Sequence, residues 1–178
     1  MNGFLADGEL AVVRFCAIEC ELQQSGERSV WWMLRAWEHA WKRCWREDDG
    51  EVTQYPTEDD VLRLGELVEP VKNLRGYREV GVRVGYSVKM DWRLVPDAMA
   101  SLVKGVEELP PAEWFRQYEE IHPFRDGNGR TGQILYNWLR FTLDNPEWAP
   151  NFWNDHRRVE GSGAPEEGSG ETTDAEGR

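Results

Sequence analysis

The residues with the clearest chemical potential lie within nine positions, from His122 to Arg130. A histidine titrates near neutral pH and can take a proton from a hydroxyl group. Asp126 offers a hard oxygen ligand for Mg²⁺, and Arg130 carries a planar set of donors that suits phosphate oxygens. Between them, Gly127, Asn128 and Gly129 form a tight turn into an amphipathic helix, where successive backbone N–H groups can bind an anion. This combination indicates a phosphate-transfer site that works by positioning and charge neutralisation.

Each of these residues also has an ordinary structural interpretation. Asp-Gly and Asn-Gly are common turn dipeptides, and a single histidine near a helix end is usually structural. Arg130 can serve an ion pair, and Phe124 is predicted to anchor the loop in the core under either interpretation. The chemical interpretation is favoured because all the parts occur together.

The elements that must position this loop are predicted to be mostly helices, which makes the fold all-α. Apolar spacing indicates helices over residues 9–24, 29–46, 56–68, 95–106, 110–121 and 128–141. Ser29 and Thr57 are the predicted caps of the second and third helices. Pro123 is expected to end the fifth, because the residue before a proline disfavours helical backbone.

Two further patterns concern the surroundings of the loop. Residues 80–90 alternate apolar and polar side chains, which predicts a strand or hairpin with Gly85 or Ser87 in its turn. Trp37, Trp41 and Trp45 recur every four residues, which predicts a buried aromatic stripe on one helix.

Composition limits the classes of protein to which the chain can belong. The 178 residues carry a formal charge of −12, which argues against a nucleic-acid coat and predicts no nucleic-acid partner. No apolar run approaches the length of a membrane span, and the first ten residues do not resemble a signal peptide. The three cysteines lack zinc spacing and are predicted to be buried thiols, so a cytoplasmic location is expected.

Composition also divides the chain into one domain and a tail. Residues 160–178 hold six acidic residues and one arginine, a net charge of −5 that leaves −7 for the remainder. The segment has no aliphatic or aromatic residue larger than alanine, so it is predicted to be a disordered acidic tail. Residues 1–159 are predicted to form a single domain.

The stretch from His122 to Arg130 resembles the signature of the Fic family, His-x-Phe-x-(Asp/Glu)-Gly-Asn-Gly-Arg-x-x-Arg, at every position specified in that stretch. Seven defined positions in nine residues make the match specific. The resemblance extends over residues 61–144 and includes a hairpin ahead of the motif, where the family has a flap that docks its target.

This resemblance implies a helical bundle that transfers AMP from ATP, with Mg²⁺, to a hydroxyl of a target protein. His122 would be the base, Asp126 would hold the metal ion, and Phe124 would lock the loop into the core. The phosphates would be held by a third group of residues, namely Gly127, Asn128, Gly129, Arg130 and Gln133. The target would pair as an extended segment with the flap residues Val80, Gly81, Val82, Arg83 and Val84. An antitoxin-like inhibitor acting in trans is a further partner that the resemblance implies.

The chain departs from the signature at residue 133, where the family has a second arginine that meets the outer phosphates of ATP. Gln133 can donate hydrogen bonds but carries no charge. Two alternatives therefore stay open beside AMP transfer. One is a Doc-like protein kinase toxin, although that branch has a lysine in the place of Gly129. The other is a Fic scaffold with weak catalysis that acts as a binding module.

Overall fold

The computed structural model describes residues 7–45, 47–48, 51–52 and 55–152. The predicted acidic tail and the start of the predicted domain lie outside these residues. Within them the chain forms six α-helices, two short antiparallel hairpins and one 3₁₀ turn, so the all-α prediction is confirmed. The helices are α1 (Asp7–Leu22), α2 (Glu27–Cys44), α3 (Glu58–Val68), α4 (Val95–Lys104), α5 (Pro111–Ile121) and α6 (Asn128–Arg140). The strands are β1 (Glu47–Asp48), β2 (Glu51–Val52), β3 (Arg83–Val84) and β4 (Ser87–Val88), and the 3₁₀ turn is Trp92–Leu94.

Local sequence explains most of the helix ends. Thr57 and Asp60 form a capping box at the start of α3, in which each side chain bonds the other's backbone N–H, as the prediction of Thr57 as a cap requires. Helix α5 begins at a proline and ends one residue before His122, which precedes Pro123. The prediction of Ser29 as the cap of α2 was wrong. The chain already enters the helix at Glu27, and the N-cap is Gly26 without a side-chain hydrogen bond.

The core is built around α2 and α6, which pack against each other. Helix α2 also packs against α1 and α3, and α6 also packs against α3 and α5. Three buried tryptophans, Trp37, Trp114 and Trp138, supply much of the core volume. The indole of Trp37 donates to the Leu143 carbonyl at 2.8 Å, and that of Trp114 to the Leu102 carbonyl at 3.1 Å. These bonds satisfy two polar groups that would be costly to bury unpaired.

The predicted aromatic stripe is correct for part of its length. Trp37 is buried and Trp41 is half-buried, but Trp45 is 53% exposed, because α2 ends at Cys44 and Trp45 is its C-cap. All three cysteines are free and buried, as predicted. Burial raises the pKa of the Cys44 thiol to about 11, which keeps it in the unreactive thiol form. In the described part of the chain, no helix has the length and hydrophobicity needed to span a membrane.

Candidate active site

The loop between α5 and α6 carries the sequence motif, and its first residue has an unusual backbone. His122 is the C-cap of α5 in the left-handed region, at φ 53° and ψ 64°. This conformation costs a residue other than glycine of order 1 kcal/mol or more unless its surroundings hold it. The His122 amide still donates to the Tyr118 carbonyl at 2.8 Å, so the turn is fixed to the end of the helix.

Phe124 and Asn128 close the loop. The Asn128 side chain accepts from the Phe124 amide and donates to the Phe124 carbonyl, both at 2.8 Å. The Phe124 ring is fully buried and lies so close to Gly65 that a Cβ there would be 2.2 Å from the ring. The prediction that Phe124 is a core anchor is consistent with this packing.

Asp126 lies at the mouth of the loop with its side chain 39% exposed. Its carboxylate accepts from the Gly127 amide at 2.6 Å and from Lys72, and Asn73 donates to its carbonyl at 2.9 Å. Burial opposes ionisation, but the Lys72 and Gly127 bonds, with the charges of Lys72 and Arg130, outweigh it and hold the pKa of Asp126 below its usual value. The group is therefore an ionised carboxylate at neutral pH.

The first turn of α6 presents its backbone toward the same mouth. Gly127 is the N-cap at φ 73° and makes no side-chain capping bond, so helix geometry leaves the N–H groups of residues 128–130 without intrahelical acceptors. A Cβ at Gly127 would be 2.9 Å from Val68, and glycine avoids both this contact and the strain of positive φ.

Arg130 is buried beneath this turn and is already paired. Its guanidinium is 3.3 Å from Glu69 and 3.6 Å from Asp126, and it donates to the Val68 carbonyl at 3.4 Å. Glu69 is itself buried at the end of α3. The structure thus brings Arg130 and Asp126 together and places a second, buried acid, Glu69, against the guanidinium.

His122 has its own acidic neighbour. Its Nδ1 is 3.6 Å from a carboxylate oxygen of Glu119, one helical turn earlier, and both side chains are largely buried. This separation is longer than a hydrogen bond, and Nδ1 is one of the buried side-chain atoms in the described residues that have no hydrogen-bond partner. The structure thus brings the His122 imidazole close to one acidic side chain.

Gln23, the residue that follows helix α1, lies next to the first turn of α6. Gln23 lies against Gly129, since a Cβ there would be 2.7 Å from the carboxamide nitrogen. Gln23 also donates to the buried Glu19 at 3.1 Å. The Gln23 carboxamide therefore occupies the space beside the Gly129 backbone.

The hairpin of β3 and β4 lies ahead of the motif in the chain, as the alternating pattern predicts. Arg83 pairs with Val88 and Val84 with Ser87, so the turn is Gly85–Tyr86, and Ser87 lies in a strand. Both strands are exposed, including the side chains of Val84 and Val88. Of the five predicted docking residues, Arg83 and Val84 lie in the exposed strand β3, whereas the carbonyls of Val80 and Val82 already accept from Arg78 and Lys89. The role of Val80 to Val84 as a flap stays a prediction.

Gln133 occupies a different environment from the residues of the first turn. Its side chain is fully buried, and its Oε1 accepts from the Ala149 amide at 3.1 Å. The carboxamide therefore holds the C-terminal segment, which we define as residues 142–149. A contact between Gln133 and nucleotide stays a prediction.

Sequence reasoning missed the residues that support the loop from outside the motif. They lie between 44 and 61 positions earlier in the chain than their partners, and they are Glu69, Lys72, Asn73 and Arg78. Spacing along one sequence cannot show such long-range pairs. The nearest signal is a run of polar residues directly after an amphipathic helix, which is also typical of a solvent-exposed turn.

Asp126 meets the requirements of a phosphate-bound Mg²⁺, which takes one or two protein carboxylates. It is ionised and partly exposed, and Lys72, its ion-pair partner, is about half-exposed. The described residues contain no group of three or more His, Cys, Asp or Glu that would hold a metal ion without a phosphate. The site therefore fits a metal ion that arrives with a nucleotide.

Comparisons with known proteins agree with this geometry. The Fic/DOC family pattern matches residues 55–139, from the turn before α3 to the last turn of α6. A Fido domain-containing protein of Dictyostelium discoideum is 35% identical over 80 residues, which cover 39% of this chain and 56% of that protein. The chain therefore spans about half the length of this relative.

Proposed function

Because residues 55–139 belong to the Fic/DOC family, we propose that this chain transfers AMP, or a related nucleotide, from ATP to a protein hydroxyl. The observation that carries the proposal is the motif loop, which combines His122, an ionised Asp126 and an uncapped helix start above Arg130. The acceptor would be a serine, threonine or tyrosine in a segment that pairs with the hairpin.

The chain's residues divide the work of such a transfer. The first turn of α6 binds the phosphates through its backbone N–H groups, and Arg130 balances their charge after releasing Glu69. Nε2 of His122 takes the proton of the acceptor hydroxyl as its oxygen bonds to the α-phosphorus. The bond from that phosphorus to the bridging oxygen breaks, and pyrophosphate leaves. A Mg²⁺ ion at Asp126 would supply further neutralisation of phosphate charge.

The position of the transferred label tests the proposal. ATP labelled at either the α- or the γ-phosphate is incubated with Mg²⁺, a cell lysate and the protein. Beyond the label that the lysate incorporates without the protein, we expect label from the α-phosphate on the chain itself or on a lysate protein, and none from the γ-phosphate. Transfer of the γ-label would instead indicate a Doc-like kinase. A lack of both labels, with ATP binding retained, would indicate a binding module.

His122→Ala and His39→Ala form a matched pair for this assay. His39 lies on α2 and faces Asp60, away from the motif loop. His122→Ala should reduce transfer by about 10²–10⁴-fold, the usual contribution of a general base, and leave ATP binding by calorimetry intact. His39→Ala should keep its transfer activity. Full activity in a folded His122→Ala variant would contradict the proposed role of the imidazole.

A further inference from the structure

Arg78 connects the hairpin to the histidine loop through one buried side chain. Its Nε donates to the His122 carbonyl at 2.7 Å, and an Nη donates to the Ile121 carbonyl at 3.2 Å. The same guanidinium donates to Val80 at 2.8 Å and to Met90 at 2.6 Å, which are the carbonyls at the two ends of the hairpin segment.

The backbone of Arg78 extends this contact along the motif. Its amide donates to the Pro123 carbonyl at 2.9 Å, so Arg78 binds three consecutive carbonyls, those of residues 121–123. The middle one belongs to His122, which has the left-handed backbone. These bonds supply the surroundings that such a conformation needs.

We infer that Arg78 is a positioning residue that sets the His122 imidazole and the hairpin in one fixed relation. The inference rests on the proposed function, in which the hairpin presents a hydroxyl to His122. A base and its substrate must lie within hydrogen-bond reach, so an element that fixes both ends of this pair controls the rate of transfer. The phosphate-binding turn of α6 receives no bond from the Arg78 side chain, so nucleotide affinity is independent of it.

Lysine cannot reproduce this arrangement. Its single ammonium is a point charge on a flexible stem, whereas the guanidinium reaches four carbonyls with a rigid set of donors. Arg78→Lys therefore keeps the positive charge but cannot make the same four hydrogen bonds. Arg93→Lys is the matched control, because Arg93 lies just after the hairpin, as Arg78 lies just before it, but Arg93 is exposed and pairs with Asp91.

The test measures transfer and structure separately. With ATP labelled at the α-phosphate, we expect Arg78→Lys to lower the rate at saturating ATP by about 10²-fold, as a misplaced reactive group does. Its Kd for ATP and its binding stoichiometry by calorimetry should equal those of the wild type. Millimolar guanidinium chloride, below the denaturing range, should restore part of the rate in Arg78→Ala. Arg93→Lys should match the wild type throughout.

Amide hydrogen exchange provides a readout that does not need activity. Arg78→Lys should speed exchange in residues 80–90 and in residues 121–127 together. If the wild type transfers no label, the proposed function fails, and this exchange result alone decides whether Arg78 links the two segments. Three results would overturn the inference. The first is an unchanged transfer rate in Arg78→Lys, and the second is faster exchange in the hairpin alone. The third is a rate loss that matches a lower number of ATP-binding molecules and that guanidinium does not rescue.

Discussion

Helix α6 has buried polar side chains in two regions, its first turn and its middle, and they face different structures. In the first turn, the Asn128 side chain closes the motif loop and Arg130 pairs with Glu69, while the backbone N–H groups stay uncapped. In the middle, Gln133 and Asn137 use their amide groups to hold the backbone of the C-terminal segment.

This difference separates binding from support along one helix. In the proposed function, Arg130 exchanges its ion pair with Glu69 for phosphate, and Asp126, just before the helix, exchanges its ion pair with Lys72 for Mg²⁺. Groups in the middle bond to backbone atoms that have no alternative donor or acceptor once buried. Substitutions in the first turn should therefore weaken ATP binding, with or without a loss of stability, whereas substitutions in the middle should change stability alone.

The largest loss of stability is expected for Arg130→Ala. The change leaves Glu69 buried without its ion-pair partner, and breaking such a pair costs about 3–5 kcal/mol of unfolding free energy. Urea denaturation measures this loss. The double variant Arg130→Ala with Glu69→Gln should recover much of it, because the stranded charge is gone, but should still bind ATP weakly. Equal stability of the single and double variants would show that the pair is not the cause.

A smaller loss is expected for Asn137→Leu. Its side chain donates to the carbonyls of Gln133 and Glu147, and it accepts from the Glu147 amide and the Thr142 hydroxyl. The substitution leaves these polar groups without hydrogen-bond partners, which should lower the free energy of unfolding by about 1–3 kcal/mol. The Kd for ATP should stay unchanged.

Thr142→Val provides the graded comparison for Asn137→Leu. It removes one of these bonds, so urea denaturation should show a smaller loss than for Asn137→Leu. A weaker Kd for ATP in Asn137→Leu, without loss of stability, would contradict the assignment of the middle of α6 to support.

The two regions of α6 also show which features the sequence could predict and which it could not. Apolar periodicity and the Thr57 cap predicted most of the helices, because these signals lie close together in the sequence. The motif loop was predictable for the same reason, since its parts lie within nine residues. Glu69 and Arg78 were not predictable, because their roles depend on contacts across the fold. Gln133 shows the same limit, since its position in the motif does not reveal the bond to Ala149.

Gln133→Arg tests whether residue 133 supports the C-terminal segment or contacts the nucleotide. We expect a loss of about 1–3 kcal/mol in unfolding free energy, because arginine has no acceptor for the Ala149 amide and places a charge in a buried position. Calorimetry with ATP, ADP and AMP should show no selective gain for ATP. A selective gain would mean that residue 133 faces the outer phosphate, as the family signature indicates.

The smallest change is expected for Lys72→Met, which removes the partner of Asp126 from a half-exposed pair. Such pairs contribute about 0–1 kcal/mol, so the melting temperature should hardly move. Because the folded pKa of Asp126 lies below its unfolded value, its contribution is present above about pH 4 and is lost as the pH falls through the folded pKa. Lys72→Met should raise this pKa and weaken the acid dependence. An unchanged Asp126 titration by NMR would exclude Lys72 as a cause of the shift.

The separation of binding from support is tested most directly by a backbone NMR titration of the whole chain with Mg²⁺ and ATP. The amides of Asn128, Gly129 and Arg130 should shift on binding, because their N–H groups receive the phosphates. The amides of Glu147 and Ala149, which are held by the middle of α6, should stay in place. Shifts in the C-terminal segment, with none in the first turn, would contradict the account.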